Sequence, residues 1–208
     1  MPCRSIGVIL EGDGDYEAVP LLLRNIINFR QYFDMKIGAR PIAVGDYIGM
    51  MKAERFLRFF RYALFRDDLD GIVIALDCED HCALEVVQTT YERIRVLAVQ
   101  ANKPVGIILF VREYETMFLV DLADIASRCS IQINANAISH LGDPILLRDA
   151  KGHFSSTVQG GSYKPTRDQA KVTAAIDIGH CAEAYRPLKH FINVIDWVYH
   201  WDGNRHLY

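Results

Sequence analysis

Three apolar runs in this chain each break off on acidic residues, a pattern with chemical consequences. Ile72, Val73, Ile74, Ala75 and Leu76 lead into Asp77, Glu79 and Asp80. Ser5–Leu10 leads straight into Glu11, and the run that begins at Val105 gives way to Glu113 and Glu115. Carboxylate oxygens from separate segments, gathered in one place, are the donors that a hard divalent cation takes. Asp77 and Glu79 stand two apart, so on an extended chain they project to the same side. Mg²⁺ needs only one or two carboxylates when water and phosphate oxygens complete its shell, and Mn²⁺ suits the same oxygen donors. On a phosphoester such an ion neutralises the oxygens, activates water and stabilises the leaving group. The plainer alternative is that acids at these places cap the helices that follow. Asp15, Asp80 and Glu113, taken singly, read that way; Glu11, Asp77 and Glu79 together read as a metal site.

Positioning these acids is the task of the surrounding elements. Continuous apolar runs predict strands buried on both faces, as in a parallel sheet. After Glu11, the GDGDY stretch predicts a tight turn in which Gly12 and Gly14 supply positive φ, with Asp15 capping a helix over Tyr16–Phe29. Met35–Val44 predicts a second strand interrupted by Pro41. Met51–Arg66 predicts a helix with Phe56, Phe60, Ala63 and Leu64 inward. Its opposite arc carries Lys52, Arg55, Arg58 and Arg66 beside Phe59 and Tyr62, either a solvated face or a phosphate-tracking surface. A further helix over 83–102 is expected to bury Leu84, Val87, Tyr91, Ile94 and Leu97. Alternating strands and helices imply right-handed crossovers, which bring the acid-bearing strand ends to one edge. Thr116–Cys129 predicts a helix, and 130–164 a loop-rich flap. Thr166–Ile178 and Pro187–Trp201 predict the last helices, and the aromatic C-terminal segment is expected to pack on the domain. The expected whole is an α/β core over 1–129, a mostly parallel sheet flanked by helices, with a loop-rich and helical extension over 130–208 packed on it.

The totals narrow the class. At 208 residues, half of them hydrophobic, the chain can bury a sizeable core and is not a disordered polymer. A net charge of −3 argues against wholesale coating of nucleic acid but permits a local basic face. Five dispersed cysteines fit reduced thiols, and Cys78, His81 and Cys82 with His180 and Cys181 match no common zinc spacing. Without a signal-like or membrane-spanning stretch, the expected compartment is the cytoplasm, with no membrane contact.

The same residues carry a resemblance. A Glu after the first strand, an acid-x-acid pair after a later one and helices between them resemble the Toprim domain of topoisomerases, primases and OLD-type nucleases. More closely, LEGDGDYEAVPLLLRNI, ALDCED, VREYETMFLVD and YKPTRDQAKVTAAID resemble the Toprim-like family of bacterial proteins labelled domain of unknown function 4276, over most of the chain. The family's first glutamate falls on Glu11, and its D-x-D pair falls on Asp77 and Glu79, the second acid here being one methylene longer. Its acid before an aromatic-apolar helix falls on Glu115, with Met117 where tryptophan is often found. Its Y-x-P-T-x-x-Q signature falls on Tyr163, Pro165, Thr166 and Gln169, with Lys164 and Arg167 inside it.

The resemblance implies a Toprim-like (Rossmann-like) fold and a Mg²⁺- or Mn²⁺-dependent nuclease or related phosphoryl-transfer enzyme acting on DNA or RNA, with a link to phage defence. Glu11, Asp77, Glu79 and Glu115 would be catalytic, the first three holding the metal. Arg55, Arg58, Lys164 and Arg167 would meet the phosphate backbone. No phosphate-binding loop of the G-x-x-x-x-G-K-[ST] kind is present, so an ATPase partner would be a separate polypeptide. A homodimer is compatible with the sequence. A non-catalytic subunit of a defence complex and a small-molecule phosphoester hydrolase are the alternative readings.

Overall fold

The computed structural model describes residues 4–38, 40–45 and 54–208, the side chain of Arg55 excepted. Three strands, apolar but for Ser5 at the start of the first and Asp77 at the end of the second, form the centre: β1 (Ser5–Leu10), β4 (Gly71–Asp77) and β5 (Val105–Phe110). All pair in parallel, with Val8 opposite Val73 and Val73 opposite Gly106. The predicted second strand forms as two pieces, β2 (Lys36–Ile37) and β3 (Ile42–Ala43), which pair with opposite ends of β1 along one edge. Pro41 stands in the gap, where a residue without an N–H cannot serve the ladder. The order across the sheet is β2/β3, β1, β4, β5.

Both faces are covered, which is why the central strands show no polar alternation. Ile9, Ile72, Ile74 and Leu76 face α2 (Glu54–Leu64) and α3 (Ala83–Ala101), packing with Phe56, Phe60 and Ile94. Val8, Val73 and Ile108 face the other layer, which contains α1 (Asp15–Phe29) and the C-terminal helices. The inward arc expected for α2 is the buried one. In α3 the buried face is Val86, Thr90, Ile94 and Ala98, whereas Leu84 and Tyr91 are exposed. The buried face differs from the expected one because the Thr90 hydroxyl donates to the Val86 carbonyl at 2.8 Å and so can be buried.

Beyond β5 the sequence marks fewer boundaries than the chain adopts. The helix expected over Thr116–Cys129 is broken at Asp121 into α4 (Thr116–Val120) and α5 (Leu122–Arg128). The segment expected to be loop-rich contains α6 (Ala150–Thr157), disguised by Gly152, and its buried Phe154 packs on Phe118 with ring centroids 5.1 Å apart. A π-helical turn (Pro165–Gln169) runs into α7 (Ala170–Thr173). That helix stops short of the expected Ile178, because Asp177 instead accepts the His180 amide and caps α8 (Ile178–Ala184). The last helix, α9 (Arg186–Tyr199), lies over β5. A Cβ at Gly106 would run into the Val194 side chain, so glycine sets how closely α9 approaches the sheet. The C-terminal segment then returns along β5: Val105 and Ile107 donate to the carbonyls of His206 (2.8 Å) and Tyr208 (2.9 Å). Residues of 130–208 such as Phe154, Phe191 and Val194 share one core with those of 1–129. No described helix is long and apolar enough to cross a membrane.

Candidate functional site: an acidic cleft at the strand ends

The strand ends meet as the parallel topology requires. A Glu11 Oε2 atom accepts a 3.0 Å hydrogen bond from the amide of Asp77, tying the end of β1 to the end of β4. Asp77 is the last residue of β4 and sits opposite Phe110. Two further amides follow β5, Cys78 onto Phe110 at 3.0 Å and Glu79 onto Arg112 at 2.8 Å. The extended conformation does not persist, however: Glu79 adopts φ 46° and Arg112 φ 62°, both left-handed. The two-residue period that would aim Asp77 and Glu79 to one side therefore fails, and the turn brings both to the same cleft instead. Left-handed backbone at non-glycine residues costs on the order of 1–3 kcal/mol each and recurs at functional sites.

Asp77, Glu79, Glu113, Glu115 and Asp15 line one cleft of about 220 Å³. Asp15 does not cap α1 as expected; its carboxylate turns back to the Gly12 amide (3.2 Å) and accepts from the Gln169 side-chain amide (2.8 Å). Gly12 and Gly14 do not take positive φ. Gly14 is needed for space, since a Cβ there would lie 2.7 Å from both Gln169 Oε1 and Pro165 Cβ. The GDGD turn and the Y-x-P-T-x-x-Q segment are thus one packed unit around Asp15. Nor does the Glu113 side chain cap the helix that follows it; it accepts the Lys151 amide at 2.8 Å in the first turn of the distant α6, whose own N-cap is Asp149.

Burial and mutual repulsion dominate the electrostatics. Burial pushes the Asp77 carboxyl well above the ordinary range, and the charges of Asp15, Glu11, Glu115 and Glu113 push it further. Burial raises Glu115, 5% exposed, to about 7, against stabilising hydrogen bonding from its own backbone. Asp15 is raised by burial, partly offset by Gln169, Gly12 and Lys151. Among the described residues lining the cleft, Lys151 is the one cation. The Tyr163 hydroxyl is buried against Glu115 without closing a hydrogen bond. Carboxylates crowded this way call for a cation, and an all-oxygen donor set suits a hard one.

The residues expected to meet phosphate are not gathered together. Arg55 has a side chain outside the described set. Arg58 lies exposed on α2, across the sheet from Lys164 and Arg167, with its guanidinium 5.6 Å from the Phe59 ring centroid. Arg167 pairs with Asp168 and donates to the Ser162 carbonyl at 2.9 Å; Lys164 is exposed beside the cleft. Two arginines that the sequence did not single out lie closer. Arg112 (2.7 Å) and Arg148 (3.5 Å) both reach Asp80, in a hollow that shares Glu79 and Glu113 with the cleft.

A second cluster could hold a metal ion: ligand atoms of Asp121, Asp124 and His180 all lie within 4.8 Å of one another. It is the set among the described residues that closes to this distance, and it takes His180 away from the cysteines considered with it. Cys78 is buried and accepts the Arg112 amide at 3.2 Å, a packing role. Fifty-nine residues separate Asp121 from His180, so no local spacing pattern could have found the cluster. No family model, no curated protein and no solved structure matches this chain.

Proposed function

We propose that the acidic cleft is the active site of a Mg²⁺- or Mn²⁺-dependent phosphoryl-transfer enzyme, a nuclease of Toprim-like type. The observation that supports it most is the Glu11–Asp77 contact, which joins two strand ends at a cleft with four further carboxylates and one lysine. Asp77 and Glu79, with Glu11 beside them, would hold the ion through few direct ligands, as suits Mg²⁺, which keeps several of its waters. When bound, the ion supplies charge neutralisation at a phosphoester and an activated water. Glu11 fixes the Asp77 backbone through its amide. Glu115, with its proton held to about pH 7, can take or give a proton near neutrality. Arg112 and Arg148, now satisfied by Asp80, stand where a substrate phosphate could replace that carboxylate. Membership of the Toprim-like family and a cytoplasmic place in phage defence beside an ATPase belong to the same reading.

One observation favours a second reading, a hydrolase of small phosphoesters. Arg58 stands across the sheet from Lys164 and Arg167, and Arg167 is committed to Asp168, so these residues form no continuous backbone track. The test offers single- and double-stranded DNA, RNA, nucleotides and sugar phosphates with Mg²⁺ or Mn²⁺ to wild type, Glu11→Gln and Asp77→Asn. Turnover of one class by wild type, lost in both variants, is expected. No turnover of any class, or equal turnover by all three proteins, would remove the proposal.

A further inference from the structure

We propose that Asp121, Asp124 and His180 form a separate site for one borderline divalent ion, of which Zn²⁺ is the type. The three ligands come from two elements: Asp121 and Asp124 from the start of α5, His180 from the first turn of α8. His180 Nδ1 lies 3.2 Å from Asp121 Oδ1 and 2.6 Å from Asp124 Oδ2. Zinc–ligand bonds near 2.1 Å place tetrahedral donors roughly 3.4 Å apart, so small side-chain adjustments suffice.

The second observation is Asp121 itself. Its side chain is fully buried, and its Oδ2 atom has no hydrogen-bond partner. The Asp177 amide approaches this carboxylate without closing a bond on Oδ2. Arg128 is shared among three carboxylates, 3.9 Å from Asp121, 3.7 Å from Asp124 and 3.4 Å from Asp177. It hydrogen-bonds the Asp177 carboxylate and stays beyond hydrogen-bond distance of those of Asp121 and Asp124. A buried carboxylate oxygen with no close partner is costly, and a divalent ion would remove that cost.

The donor set selects the ion class. One imidazole nitrogen with carboxylate oxygens suits Zn²⁺ and its transition-metal neighbours better than Mg²⁺ or Ca²⁺. The His180 and Asp124 side chains are 61% and 45% exposed, so an ion can enter from solvent and complete its shell with water. The bound ion would pin α5 to α8. That junction supports the cleft from behind, because α4 begins beside Glu115 and Tyr185, after α8, accepts the Val111 amide at 3.0 Å just beyond β5.

The test uses full-length Glu11→Gln/Asp77→Asn protein, which removes the cleft as a competing site. Co²⁺ is followed by visible d–d absorption and Zn²⁺ by thermal unfolding. One equivalent of Co²⁺ is expected to bind without a thiolate charge-transfer band, and Zn²⁺ to raise the melting temperature. Adding His180→Ala should abolish both responses, and Asp124→Asn should weaken Co²⁺ binding at least tenfold, while each variant still melts cooperatively without metal. Absent Co²⁺ absorption at millimolar metal, a thiolate band, or binding indifferent to His180→Ala would each overturn the site. The three side chains would then be an ion-pair network around Arg128.

Discussion

Glu115 carries its proton to about pH 7 because burial opposes its charge. A carboxyl raised from 4.5 in this way binds more protons when folded than when unfolded between those two values. Its stabilising contribution is therefore complete below pH 4.5 and lost as pH rises through 7. A shift of this size corresponds to about 3 kcal/mol, at 1.36 kcal/mol per pKa unit. Urea denaturation in EDTA at pH 5 and pH 8 should show wild type losing stability at the higher pH, and Glu115→Gln losing about 3 kcal/mol less. Asp77 and Asp15 push in the same direction, so divalent cation added at pH 8 should restore what EDTA exposes. Equal pH dependence in wild type and Glu115→Gln would show that this carboxyl does not hold its proton. At this scale the sequence spoke clearly where the acid stands directly on a strand end, as at Glu11 and Asp77. It was silent on Asp121 with His180, and on Arg112 with Arg148, whose meetings depend on tertiary packing between distant segments.

Among the elements, the most informative unit is the junction between the turn after β1 and the π-helical turn. Gly14 is pressed against Gln169 and Pro165, and Gln169 in turn holds Asp15. Gly14→Ala must move that contact, and overpacking of this kind costs roughly 1–3 kcal/mol. Chemical denaturation should show this loss, and divalent-ion binding at the cleft should weaken with it. Unchanged stability and binding would mean the two turns do not act as one unit. Both motifs are visible in the sequence, but their mutual packing is not, since glycine suggested turn conformation rather than close approach. The β-strands and α2 were legible because one residue type dominates each buried face. The face of α3 was not, because Thr90 buries its hydroxyl by bonding within its own helix. Asp121 and Gly152 obscured the helices after β5 for similar local reasons.

For the molecule as a whole, the parallel sheet follows from three apolar runs separated by helical patterns, and this much was readable directly. The return of the C-terminal segment along β5 was legible only as an aromatic composition expected to pack on the domain, with no strand named as its partner. Leu207 is 4% exposed there and its loss should be felt. Leu207→Ala is expected to lower stability by about 2–5 kcal/mol, the usual cost for a buried leucine, read by urea denaturation. A change below 0.5 kcal/mol, the range of surface substitutions, would mean the segment is not part of the fold's support.

The central claim is that the carboxylates at the strand ends share a divalent cation. Isothermal titration of Mn²⁺ and Mg²⁺ into His180→Ala protein, which lacks the second cluster, tests it directly. One ion is expected to bind, more tightly at pH 8 than at pH 5 as the raised carboxyls lose their protons, with affinity lost on adding Asp77→Asn. No heat attributable to binding at millimolar metal, or binding unchanged by Asp77→Asn, would contradict it.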